Sequence, residues 1–173
     1  MPKHTIEIGL FGREGMSAPC LASLSTQTPH ECVVQSEGYG ARIAVEHLFA
    51  AMAQSNSLTH TLARYAYAFG VQVSETAVSN GLFTIENCLA RWLLMSSDRL
   101  GSSEIVLTHE YISIMLGVQR PGVTGALHIL EGEGNIRALR GQISIVDRPA
   151  LLALAGQSYG VCEAEYQRVI GPF

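Results

Sequence analysis

Arg120, Thr124 and His128 stand four residues apart in the stretch RPGVTGALH, so on a helix they share one face. That face also shows Pro121 and Gly125, holds little acid, and begins at a helix N-terminus, where backbone N–H groups attract phosphate. The chemistry open to such a set is recognition by hydrogen-bond donation, on a face narrow enough for a nucleic-acid groove. Covalent chemistry is poorly supplied. Serines and histidines are plentiful, yet no nucleophile elbow, HExxH pair or Walker loop occurs, which argues against an enzyme. Cys20, Cys32, Cys88 and Cys162 are widely spaced with no CxxC pair. No metal or iron-sulfur cofactor is expected, and the thiols read as small buried apolar side chains.

The elements that must hold this face follow from apolar periodicity. Ile112, Met115 and Leu116 fall at i, i+3 and i+4, predicting a helix capped by Thr108 and ended at Gly117, with Val118 turned back into a core. Val123, Ala126, Leu127 and Leu130 predict a second helix, with Gln119 at its cap and Pro121 in its first turn. Only Gly117, Val118 and Gln119 separate the two, so they must cross steeply as a helix-turn-helix. After Gly134, IRALR and QISIVD meet at Arg140-Gly141 and predict a β-hairpin, or wing.

The spacing of Thr108, Ile112, Gly117, Val118, Arg120, Val123, Leu127 and Leu130, followed by Glu131, Ile136 and the GQISIVD hairpin, resembles the DNA-binding domain of the Crp/Fnr family of bacterial transcription regulators. The resemblance implies roles for single residues. Arg120 matches the family's base-reading position, where it can bridge O6 and N7 of a guanine. Thr108, Gln119 and the backbone N–H of Gly122 would hold phosphates and fix register, and Thr124, His128 and Arg140 at the wing tip would add contacts. Pro121 and Gly125 stand where the family often has a glutamate and an arginine, so the operator should differ from that of the best-known members. Double-stranded DNA, a second copy of the chain and RNA polymerase are the implied partners.

Upstream, VEHLFAAMA at Val45 to Ala53 predicts a short amphipathic helix, which SNS interrupts. Leu58, Leu62, Tyr65, Phe69, Val73 and Thr76 follow at steps of four and three, on a helix of about 24 residues whose second apolar face includes Ala63, Ala66, Tyr67 and Gly70. Two apolar faces need two partners, and the resemblance makes this the dimerisation helix, with the 4,3 seam facing its copy. Asn80-Gly81 reads as a hinge and domain boundary. Ile85, Cys88, Leu89, Trp92 and Leu93 then form a core-facing helix capped by Thr84, and Asp147 caps a last helical stretch interrupted by Gly156 and Gly160.

Before residue 45, Thr5 to Leu10 and Glu31 to Gln35 read as short strands. Here the resemblance implies the later part of a cyclic-nucleotide-binding-like β-roll, with IEIGLFGREGM near its phosphate cassette. The cassette departs from the pattern. Glu7 matches the residue that holds a ribose hydroxyl, but Ile6 replaces the preceding glycine, and His30-Glu31 replaces the pair that binds the cyclic phosphate. A carboxylate repels an anion there, so no response to cyclic AMP is expected.

With 173 residues, 47% of them apolar, the chain can bury one large core or two small ones. The net charge of −4 argues against a general polyanion binder. From Thr108 to Arg148, Arg120, Arg137, Arg140 and Arg148 balance Glu110, Glu131, Glu133 and Asp147, so DNA affinity would depend on where charge sits and on dimerisation. No signal-like or membrane-length apolar run occurs, and the chain reads as cytoplasmic with reduced thiols. The expectation is a mostly α fold with small β content: a partial β-roll over 1–44, helices including the dimerisation helix over 45–80, and a C-terminal winged helix-turn-helix over 81–173. Its function would be sequence-specific regulation of transcription by a homodimer on an inverted repeat. The alternative is a truncated dimerisation module that antagonises a full-length relative.

Overall fold

The computed structural model describes residues 5–172. Its helices are α1 (Val45–Gln54), α2 (Asn56–Leu82), α3 (Ile85–Leu100), α4 (His109–Leu116), α5 (Arg120–Gly132), α6 (Arg148–Ala155) and α7 (Val161–Val169). Its strands are β1 (Glu104–Val106), β2 (Ile136–Leu139) and β3 (Gln142–Ile145), which form one antiparallel sheet in the order β1-β3-β2. The expected balance, mostly helix with a little sheet, is what the chain forms.

Local chemistry sets most helix ends. Ser55 breaks α1 from α2, and its Oγ accepts from the Leu58 N–H. Thr84 and Asn87 close a reciprocal capping box at the start of α3, and Gly101 ends that helix at φ 63°. Asn87 also donates from Nδ2 to the Leu154 carbonyl at 2.7 Å, which pins α3 to α6. The Asp147 carboxylate accepts from the Ala150 N–H at the start of α6. The predicted final helical stretch is two helices, divided by a 3-10 turn over Gly156–Ser158.

The main core lies where α3, α4, α5 and α6 meet one face of the sheet. Leu89, Leu93, Leu94, Ile105, Ile112, Val123, Leu127, Leu130, Ile143 and Leu151 are all essentially buried there. Ile105, Ile143 and Ala138 stand side by side across the three strands, which fixes the register. Trp92 is buried as expected, and its indole N–H reaches Glu7 at 3.2 Å. A smaller cluster of Leu21, Leu48 and Met52 is completed by Leu58 and Leu62.

The front of the chain differs from expectation. Residues 5–44 form no strand, neither at Thr5 to Leu10 nor at Glu31 to Gln35, and their single regular element is a 3-10 helix over Pro19–Ser23. A strand needs a neighbouring ladder, and the described residues offer none there. Side chains of the helices take up the backbone instead. The Leu10 N–H donates to Gln72 Oε1 at 2.6 Å, and Tyr65 Oη accepts from the Met16 N–H and donates to the Met16 carbonyl. Burial pushes the Tyr65 phenol up to about 12, so it remains a donor at neutral pH. Tyr166 donates to the Glu14 carbonyl at 2.8 Å, and the Glu14 carboxylate meets Arg99 in a buried ion pair at 3.0 Å. Residues 5–16 are thus a strap with one turn at Gly12–Gly15, laid over α2, α3 and α7.

Asn80-Gly81, read as a hinge, lies in the last turn of α2, which runs to Leu82, and the chain turns at Phe83, whose side chain packs on the main core. Of the four thiols, Cys88 and Cys162 are buried, but Cys32 is exposed in a stretch without regular structure and Cys20 is half-buried in the 3-10 helix beside Leu21.

Candidate nucleic-acid interface

Gly117 makes the turn between α4 and α5. Its φ of 65° is the left-handed conformation, and a Cβ there would stand 2.7 Å from Ile6 Cδ1 of the strap. Its N–H and that of Val118 donate back to the carbonyls of Ile114 and Ser113, closing α4. Val118 packs against the core as predicted. On α5, Val123, Ala126, Leu127 and Leu130 face inward, which leaves Arg120, Pro121, Gly125 and His128 exposed and Thr124 half-exposed. The outward face read from the sequence is therefore the outward face of the molecule.

The predicted contact residues are not equally free to act. Thr108 is exposed, and its Oγ1 accepts from the Tyr111 N–H, so the hydroxyl proton remains available to an outside acceptor. Gln119 is exposed at the cap of α5, with its side chain making no cap hydrogen bond. Arg140 is exposed where β2 turns into β3. Thr124 donates its hydroxyl to the Arg120 carbonyl at 3.1 Å, which occupies its proton within the helix. Gly122 requires a correction: its N–H, expected to meet a phosphate, donates to the Gln119 carbonyl at 2.9 Å. Pro121 tightens the first turn of α5, and the amide that follows it is drawn into that turn.

Sequence reading missed Glu110. It lies in the first turn of α4, and its Oε2 sits 2.7 Å from Arg120 Nη2, with both side chains more than 60% exposed. The two residues are ten apart in sequence and meet only because α4 and α5 cross. Glu131 was also missed as a positioning group: its carboxylate accepts from the Ala138 N–H at 2.9 Å, which fastens the hairpin to the end of α5. The sign-balanced composition of this region could have pointed to such pairs.

The seam expected to face a second copy is partly occupied within the chain. On α2, Tyr65 is buried, Leu58 and Leu62 pack against the Leu21 cluster, Phe69 lies against the strap at Gly9, and Val73 and Thr76 are half-buried. The strap and α1 cover most of that side. The opposite side exposes Ala63, Tyr67, Gly70, Ser74, Ala77 and Gly81, again at steps of four and three; none is charged, but Tyr67 donates its hydroxyl to the Glu165 carboxylate of α7 at 2.7 Å. Space is open at Gly70 and Gly81, where an added Cβ would meet nothing within 4 Å.

Among the described residues there is no group of acidic, histidine or cysteine side chains fit to hold a metal ion, and no helix long and apolar enough to cross a membrane.

Residues 89–154 match the family model of the Crp-like helix-turn-helix domain. Among solved structures, the chain is similar to FixK2 from Bradyrhizobium japonicum, with a TM-score of 0.60 and 20% identity, over 66% of this chain and 60% of that one. It is also similar to a CRP-family transcriptional regulator from Thermus thermophilus, with a TM-score of 0.53 and 23% identity, over 61% and 57% of the two chains. A Crp/Fnr-family protein from Eubacterium rectale gives a TM-score of 0.50 and 24% identity, over 64% and 51%. This chain therefore spans between about half and three fifths of the length of those structures. No curated protein matches it in sequence. The short α4–α5 turn, the sheet behind it and the family match together identify residues 89–154 as a Crp-like helix-turn-helix domain, on a chain that shares part of its fold with Crp/Fnr structures.

Proposed function

We propose that this chain is a DNA-binding transcription regulator of the Crp/Fnr type that reads sequence through α5. The observation that carries the reading is Arg120, exposed on the first turn of the second helix of a Crp-like helix-turn-helix domain. From there a guanidinium can enter a major groove and meet O6 and N7 of guanine. Thr108, Gln119 and Arg140 surround it as phosphate donors, with His128 further along α5. The hairpin β2–β3 serves as the wing. The protein performs no covalent chemistry in this role.

The active species is a homodimer formed along α2. Because the inner seam is covered within the chain, the second copy docks on the outer stripe from Ala63 to Gly81, where small side chains let two helix axes approach closely. Two α5 helices then meet successive major grooves, roughly 34 Å apart, on an inverted repeat. The same stripe would equally accept a longer relative, in which case the chain acts as an antagonist. Mixing this chain with such a relative and recovering only homodimers removes that second reading.

Cyclic AMP is not the signal. Glu7, the group that would hold its ribose, already accepts from the Trp92 indole and from the Gln35 amide. Micromolar binding of cyclic AMP in titration calorimetry would overturn this point. The regulator itself is tested by fluorescence anisotropy against genomic fragments: fragments sharing an inverted repeat should bind best, and binding should weaken steeply as salt rises. Equal affinity for every fragment at low salt would reject the function.

A further inference from the structure

Arg120 does not project alone from α5. Glu110, on the other helix of the pair, presents its carboxylate to Nη2 at 2.7 Å, and both side chains stand on the exposed surface that α5 offers outward. No element of the fold requires this pair. Thr108 alone caps α4, and the helices are held together by Ile112, Met115, Val123 and Leu127 in the core beneath. In water such an exposed pair is weak. Between protein and duplex, where water is displaced, the same two charges interact more strongly.

We propose that Glu110 is a specificity-determining residue of the reader, acting by holding the Arg120 guanidinium in one orientation. The inference rests on the reading of Arg120 as the base contact. The carboxylate occupies one Nη2 donor and leaves the remaining donors to meet a single acceptor pair on a base. Guanine presents such a pair in O6 and N7, whereas adenine presents N7 beside an amino donor that clashes with a fixed guanidinium. A guanidinium free to swing would settle on the nearest phosphate instead. Glu110 also repels phosphate, so it lowers affinity for every sequence while raising the preference for one. Glu110 is thus a positioning residue, acting through Arg120.

The test is selection from a randomised duplex library by the full chain, followed by anisotropy on single-base variants of the selected site. Glu110→Gln should raise affinity for unrelated DNA severalfold and reduce the preference for guanine at one position per half-site about tenfold, the size of one bidentate contact. Glu110→Asp keeps the charge but not the reach, so it should lose the preference without gaining affinity. Thermal melts of both variants confirm that the fold is intact. If both keep the wild-type base ratios, Glu110 contributes only bulk charge and the proposal is wrong. If the wild type selects no sequence, or Arg120→Ala selects the wild-type site, the reading beneath it fails and takes the proposal with it.

Discussion

At the scale of single residues, Arg120 and Glu7 carry the most testable consequences. Arg120→Lys keeps the positive charge but not the planar fork, so affinity for unrelated DNA should persist while discrimination falls by about 1–3 kcal/mol per half-site. Anisotropy on matched and mismatched duplexes measures this. Glu7 is a carboxylate raised above its ordinary 4.5, chiefly because burial disfavours its charge, while bonds from Gln35 and Trp92 and the fields of Arg91 and Arg99 act the other way. An acid with a raised folded value gives stability that is fully present below about pH 4.5 and is lost as pH rises through that value. Wild-type stability should therefore decline as pH rises above about 4.5 by more than that of Glu7→Gln, as read from urea denaturation at each pH. Parallel curves would show that the strap does not depend on this proton. Neither partner of Glu7 nor that of Arg120 was legible in the sequence, because Trp92, Gln35 and Glu110 reach their targets only once separate elements have packed.

At the scale of elements, the helices were legible because their signals are local. Thr84, Thr108 and Asp147 each cap the helix that follows, Gly117 takes the positive φ its position demands, and the apolar steps along α5 match its buried face. Strand β1 was not legible: it is three residues long with one buried side chain, and it forms because β3 offers an open edge. The strap shows the reverse error. An alternating stretch such as residues 5–10 fits a strand or an extended strap equally, and only the partner decides. Two substitutions test these elements. Thr108→Ala should cost about 1 kcal/mol as a lost cap. Leu127→Ala, at the centre of the core under α5, should cost about 2–5 kcal/mol. Urea unfolding reads both, and a loss from Thr108→Ala as large as that from Leu127→Ala would contradict the cap assignment.

At the scale of the whole molecule, α2 has the two faces expected of it, and the one expected to meet a second copy is partly occupied within the chain. Spacing favoured Leu58, Leu62 and Tyr65 for a second chain, whereas Leu58 and Leu62 pack against the Leu21 cluster and Tyr65 is buried against Met16. Ala77→Glu on the outer stripe should convert a dimer to a monomer in sedimentation while leaving the unfolding free energy of the monomer unchanged within about 0.5 kcal/mol. In the proposed homodimer the paired readers together would give the specificity. The most direct measurement is accordingly selection from a random duplex library by wild type and by Arg120→Ala. The wild type should recover an inverted repeat with half-sites centred about one helical turn apart, each holding one invariant guanine, and Arg120→Ala should lose it. Recovery of no common sequence, or the same repeat from both proteins, would contradict the account.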